Sequence, residues 1–198
     1  KPVSGFRWDG DGVVYEMGTV SKIIAPGLRI GYMAGRDGPF LQAMIQRASD
    51  VGFSAPLVNQ EVVSWLLDNA ADRLVAEVNR GYREKARAMG DAIDSRLGGF
   101  LADRRGGKAG FYFYLTFRAI RTGEGSPFFR HLARASGEPE VDGPAANRRP
   151  RVIYIPGSFC VHPRGSMVEE GARALRLSYG YEDIPRLVEA IGHMAEAA

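Results

Sequence analysis

The segment Gly18-Thr19-Val20-Ser21-Lys22-Ile23-Ile24-Ala25-Pro26-Gly27-Leu28-Arg29-Ile30-Gly31 organises the rest of the 198-residue chain. It sets two small hydroxyls beside a lysine, and an arginine seven residues beyond that lysine. Pro26-Gly27 between them must turn the backbone. Short apolar runs flank the segment, Val13-Val14-Tyr15 before it and Ile30-Gly31-Tyr32-Met33 at its end. Apolar runs bounded by turn signals predict buried strands, here Val13 to Met17 and Ile30 to Ala34. Lys22 then lies in a loop at a strand end, where α/β sheets collect their chemistry.

A lysine placed there becomes a nucleophile toward carbonyls if its amine is neutral, and both desolvation and a nearby cation such as Arg29 favour the neutral form. Thr19 and Ser21 can donate to phosphate oxygens, and the planar fork of Arg29 can grip a phosphate. An amine for an aldehyde and a hydroxyl-arginine cradle for a phosphate together describe a site for pyridoxal phosphate. The alternative is a solvated lysine on a Ser/Thr/Gly loop, the ordinary situation of lysine.

Ser21-Lys22 followed by Pro26-Gly27, Arg29 and Gly31 resembles the cofactor-lysine signature of class I/II aminotransferases, the fold-type I pyridoxal phosphate enzymes. The resemblance implies that Lys22 is the Schiff-base lysine and proton shuttle, that Thr19 and Ser21 bind the phosphate, and that Arg29 is the phosphate-binding arginine. It continues through Asn79-Arg80-Gly81-Tyr82-Arg83, similar to part of the helix linking large and small domains, and through Pro156-Gly157-Ser158-Phe159. Leu175-Arg176-Leu177-Ser178 resembles the family's Arg-Leu-Ser motif, whose arginine binds the substrate α-carboxylate. By spacing alone, Arg176 also reads as an arginine on the wet face of an edge strand. At Gly110-Phe111 the match is imperfect, because Lys108-Ala109 stands where the family usually has a glycine pair.

The implied fold is α/β and fold-type I aminotransferase-like: the end of a large-domain sheet, a long linking helix, then a small α+β domain. The expected division is residues 1–70, the incomplete end of the cofactor-binding domain, and residues 71–198. The implied reaction is transamination between an α-amino acid and a 2-oxo acid with pyridoxal 5'-phosphate as cofactor, in a homodimer. A related lyase, or the aminotransferase-like sensor domain of a transcription regulator, would use the same residues. Family members are usually much longer, and their remaining cofactor contacts would lie upstream of Lys1. The 198 residues by themselves are therefore expected to lack transaminase activity.

Composition is ordinary for a soluble globular protein: 45% hydrophobic and 25% charged residues, with a formal net charge of +3. The densest basic cluster, Asn147-Arg148-Arg149-Pro150-Arg151, lacks the interleaved aromatics of a strand-binding surface, so no nucleic-acid partner is expected. No apolar run is long enough for a bilayer, and none resembles a signal peptide. A single cysteine fits a reducing compartment, and a cytoplasmic location is the default. One cysteine and three scattered histidines form no metal-ligand cluster, so Cys160 and His162 read as neighbours of the Pro156-Gly157 turn.

Farther along, Pro39 predicts a short helix before a loop at residues 49–54, and Pro56 a second that closes at Asp68-Asn69. Leu74, Val78, Tyr82, Ala86, Met89, Ile93 and Leu97 recur at helical spacing, with Asn69 as N-cap, up to Gly98-Gly99. Gly81 costs this helix about 1 kcal/mol relative to alanine, a cost that close packing or a bend would explain. Arg104 to Lys108 reads as a basic loop, Phe111 to Phe117 as an aromatic strand, and Ser126-Pro127 as a helix start with Gly137 as its stop. Residues 138–150 read as loop, Val152 to Ile155 as a strand, Ser166 to Glu169 as a capping box, and Leu175 to Gly180 as a strand. Asp183 and Pro185 open a terminal helix.

Overall fold

The computed structural model describes residues 4–145 and 149–198. Asn147 and Arg148 of the basic cluster lie outside the described residues. The chain divides into two compact units, residues 1–78 and 79–198.

In the first unit, β1 (Tyr15–Thr19) and β2 (Gly31–Gly35) pair antiparallel around the lysine loop. The register sets Gly18 against Tyr32 and Tyr15 against Gly35, and each ring fills the space above the glycine opposite. A Cβ at either glycine would collide with that ring. β1 starts two residues later than the sequence suggests, because the Val13 amide is spent on Asp9 Oδ1 at 2.8 Å rather than on a ladder. Neither strand is buried as expected. Val13 is 72% exposed and Met17 77%, since a two-stranded ribbon cannot shield both of its faces.

Helix α1 (Pro39–Gly52) starts at Pro39 but runs through the expected loop, ending where Phe53 turns left-handed at φ 59°. Helix α2 (Leu57–Leu97) is one uninterrupted element of 41 residues rather than two helices. Asn69 is not an N-cap. Its Nδ2 donates to the Trp65 carbonyl one turn back at 2.8 Å, which accommodates a polar residue inside the helix. No proline or glycine interrupts the segment from Leu57 to Arg80, so nothing stops the helix at Asp68-Asn69. The boundary between the two units falls inside α2.

The second unit is a four-stranded antiparallel sheet in the order β3-β4-β6-β5, formed by β3 (Leu101–Gly106), β4 (Tyr112–Phe117), β5 (Ile155–Pro156) and β6 (Ala174–Ser178). The supposed basic loop at Arg104 is thus strand β3. It lies at the sheet edge, where Arg104 pairs with Asp94 at 3.2 Å and Arg105 with Asp103 at 2.6 Å, a natural place for charged residues in a sheet. Only Ile155–Pro156 of the expected Val152–Ile155 strand pairs. The Arg151 and Val152 amides instead donate to the Leu132 carbonyl at 2.8 and 3.3 Å, tying this segment to α3 (Pro127–Ala133).

Ser126 caps α3 by accepting from the Phe129 amide. The helix ends before Gly137 because Arg134 turns left-handed and returns its amide to the Arg130 and His131 carbonyls. The expected loop beyond contains a short helix, α4 (Pro139–Asp142), anchored by the buried Asp142 carboxylate, which accepts from the Ser136 hydroxyl and the Ser136 and Gly137 amides. Ser166 forms no capping box, since α5 (Val168–Gly171) starts from Met167 without a side-chain cap. The last helix, α6 (Ile184–Glu196), is capped by Asp183 as the sequence indicates.

The strands of this sheet alternate, so each face has its own character. Phe113, Leu115, Leu175 and Leu177 turn inward with Met89, Ile93 and Leu97 of α2, Phe128 and Leu132 of α3, and Leu187, Ile191 and Met194 of α6. Tyr154 joins this core with its hydroxyl donating to the carbonyl of buried Thr122 at 2.9 Å, and burial pushes its phenol above the usual range.

Two stability measurements test this description. A Cβ at Gly81 meets nothing within 4 Å, so close packing does not explain the glycine. Gly81→Ala should raise the midpoint of urea unfolding, corresponding to about 0.5–1 kcal/mol. Tyr154→Phe leaves the buried Thr122 carbonyl without its donor and should destabilise by about 1–3 kcal/mol in the same assay.

Candidate functional site

The lysine loop is held by its own short-range bonds. The Thr19 hydroxyl donates to the Ile30 carbonyl at 3.0 Å and lies 2.9 Å from Ser21 Oγ, while its oxygen accepts from the Ser21 amide at 3.2 Å. The loop's ends are further joined by the Val20 amide, which donates to Ile30 O. From Val20 the chain turns tightly, with the Ile23 and Ile24 amides returning to the Val20 carbonyl. Pro26–Leu28 form a single 3₁₀ turn, and Arg29 follows in the left-handed conformation at φ 55°. Nη1 of Arg29 donates to the Pro26 carbonyl at 3.1 Å.

Thr19, Ser21, Lys22 and Arg29 are therefore gathered on one short connection, with Thr19, Lys22 and Arg29 exposed. Two hydroxyls, a guanidinium and a primary amine suit a ligand that carries both a phosphate and a carbonyl. The left-handed backbone at Arg29 carries local strain in a non-glycine residue, held here by the 3₁₀ turn behind it.

Arg176 belongs to the second unit. It lies on β6, an interior strand flanked by β4 and β5, so the edge-strand reading does not hold. Its cross-strand partners are Tyr114 and Ile155. The guanidinium carbon stands 4.5 Å from the ring centroid of Tyr112, a cation–π contact that holds the group flat. Nε of Arg176 is buried and has no hydrogen-bond partner among the described residues. A buried guanidinium N–H left unspent is costly, and an incoming carboxylate would satisfy it.

Tyr112 and Tyr114 were not singled out from the sequence as site residues. The signal was present: alternation through Tyr112-Phe113-Tyr114-Leu115 places both tyrosines on the face opposite the core. The Tyr114 phenol is raised, first by burial and then by its Cys160 and Glu170 neighbours. Cys160 is exposed, with its thiol toward the Pro156 carbonyl, and the His162 ring accepts from the Arg164 amide. Cys160 thus neighbours the Pro156-Gly157 turn, whereas the His162 bonds are made farther along, to Arg164 and Gly165. No group of His, Cys, Asp and Glu among the described residues is arranged to hold a metal ion, and no described helix is long and apolar enough to cross a membrane.

Comparison with known proteins places these residues in context. No protein-family model matches the chain. It is 28% identical over 186 residues to 2-aminoadipate transaminase of Thermus thermophilus, covering 94% of this chain and 41% of that protein. It is 27% identical over 192 residues to an uncharacterised HTH-type transcriptional regulator of Bacillus subtilis, covering 96% of this chain and 34% of the regulator. The chain thus spans well under half the length of the curated relatives it matches. Among solved structures it superposes on the α-aminoadipate aminotransferase LysN of Thermus thermophilus, complexed with N-(5'-phosphopyridoxyl)-L-leucine. The TM-score is 0.77 at 26% identity, over 96% of this chain and 43% of LysN. The kynurenine aminotransferase of Pyrococcus horikoshii shares the fold at a TM-score of 0.72 and 24% identity, over 96% of this chain and 41% of that one. In sequence and in fold the chain is similar to fold-type I, pyridoxal phosphate-dependent aminotransferases.

Proposed function

We propose that this chain carries the cofactor lysine and the substrate-carboxylate arginine of a pyridoxal phosphate-dependent aminotransferase acting on an α-amino acid and a 2-oxo acid. The observation that carries the reading is the buried, unpartnered Nε of Arg176, held over Tyr112 on a rigid interior strand. The similarity of this chain to transaminases in sequence and fold supports it.

Each residue has a distinct task. Arg176 receives the substrate carboxylate through two parallel N–H donors, which fixes orientation as well as charge. Tyr112 keeps the guanidinium plane from rotating. Thr19, Ser21 and Arg29 hold the cofactor phosphate, anchoring the ligand at the end remote from reaction. Lys22 would hold the cofactor at its aldehyde end, and its amine would remove and return the proton at the substrate Cα. Pyridoxal phosphate, when bound, supplies the electron sink for the pair left on Cα. The reading carries with it a homodimer and a cytoplasmic setting.

Borohydride treatment in the presence of pyridoxal phosphate should fix a phosphopyridoxyl group on the peptide containing Lys22. In the active protein carrying this chain, Lys22→Ala should abolish that adduct and lower turnover by about 100-fold or more. An adduct on another lysine, with turnover kept, would overturn the assignment. Product analysis separates transamination from lyase chemistry, and cofactor fixation without turnover would match a sensor domain instead.

Arg176→Ala should lower kcat/KM for the best amino donor by about 30-fold or more, with KM raised and kcat reduced together, because the Cα–H bond loses its alignment. Arg176→Lys should recover only part of the loss, since an ammonium cannot form the paired contact. An alanine variant with normal steady-state constants would remove the carboxylate role.

A further inference from the structure

The second unit contains a cavity of about 660 Å³ on the helix-covered side of its sheet. Met89 of α2, Leu177 of β6 and Leu187 of α6 give it an apolar lining. Leu177 and Arg176 are successive strand residues and face opposite sides, so this space is separate from the carboxylate arginine. Its volume falls within the range of small-molecule sites.

The charged lining is unbalanced. Arg134, Arg149, Arg151 and Arg186 face it against Glu182 and Glu189, which leaves a formal excess of two positive charges. Two of the arginines are already engaged: Arg151 donates to the His131 and Val141 carbonyls at 3.1 and 2.7 Å, and Arg186 to Glu182 at 3.1 Å. Arg134 differs. Its backbone is fixed in the left-handed conformation at the end of α3, and its Nε is buried with no hydrogen-bond partner among the described residues. A guanidinium N–H desolvated and left open beside two surplus charges is completed by an acceptor carrying negative charge.

We propose that this cavity is a second, non-catalytic site for a small doubly charged anion, phosphate- or dicarboxylate-bearing, with Arg134 as its principal donor and Arg149 at its exposed rim. The apolar lining suits the carbon body of such a ligand, and the arginines its charged groups. This site goes beyond the transaminase reading and does not depend on it.

Isothermal titration calorimetry of the 198-residue chain with inorganic phosphate, and separately with succinate, tests it. At least one probe should bind saturably with a Kd of about 1 mM or tighter. Arg134→Gln should weaken that binding by about tenfold or more, and Arg149→Gln by less. Arg176→Gln should leave it unchanged, which separates this site from the substrate arginine. The stronger probe identifies the charged group preferred. Absence of saturable binding by both probes would overturn the proposal. Binding lost in Arg176→Gln but kept in Arg134→Gln would overturn it equally. Unchanged thermal unfolding of Arg134→Gln without ligand shows that any loss is not a folding defect.

Discussion

The pairing of β4 with β6 is the constraint on which the second unit depends. Its register sets Phe113 opposite Leu177 and Leu115 opposite Leu175, all buried, and between these pairs sets Tyr114 opposite Arg176. Each of those apolar side chains contributes about 1.5–3 kcal/mol by leaving water. A slip of one residue in either strand would drive an arginine or a tyrosine into that layer and push leucines out of it. The hydrophobic core therefore fixes the register that places Arg176: the energy that packs α2, α3 and α6 against one face also sets the place of the Arg176 guanidinium on the other.

Periodicity and end signals made much of this legible in the sequence. Asp183 and Ser126 cap helices because their oxygens reach the first free amides, and the inward stripe of α2 from Met89 to Leu97 is core. Where the sequence misled, a longer-range bond had intervened. Val152 looked like a strand residue, yet its amide is taken by the Leu132 carbonyl, twenty positions back. Arg104 looked like loop because charge is rare in strands, but an edge position with Asp94 in reach suits it. Asn69 looked like a cap because its hydrogen bond to Trp65 within one helix cannot be told from a cap bond by composition alone.

The candidate site divides along the same line. The lysine loop was legible because its residues are contiguous, and its internal bonds, Thr19 to Ile30 and Arg29 to Pro26, span few residues. Arg176 was legible only through resemblance, since its partners Tyr112 and Tyr114 lie far back in the chain and meet it through strand pairing. The unspent donors on Arg176 and Arg134 could not be read from sequence at all, because being unpartnered is a property of the packed molecule. One relative is a transaminase and another an HTH-type regulator, so the same scaffold serves proteins of different description.

The two ring-over-glycine contacts of the hairpin have a consequence for how the lysine loop can vary. Tyr32 covers Gly18 and Tyr15 covers Gly35, one lock near each end of the ribbon. Any shift of one strand along the other would bring both rings against side chains instead of open backbone, so the ribbon behaves as a clasp that closes in a single position. The segment from Val20 to Ile30 is then a span between fixed posts. Its side chains can vary while the points where it leaves and rejoins the ribbon stay where they are.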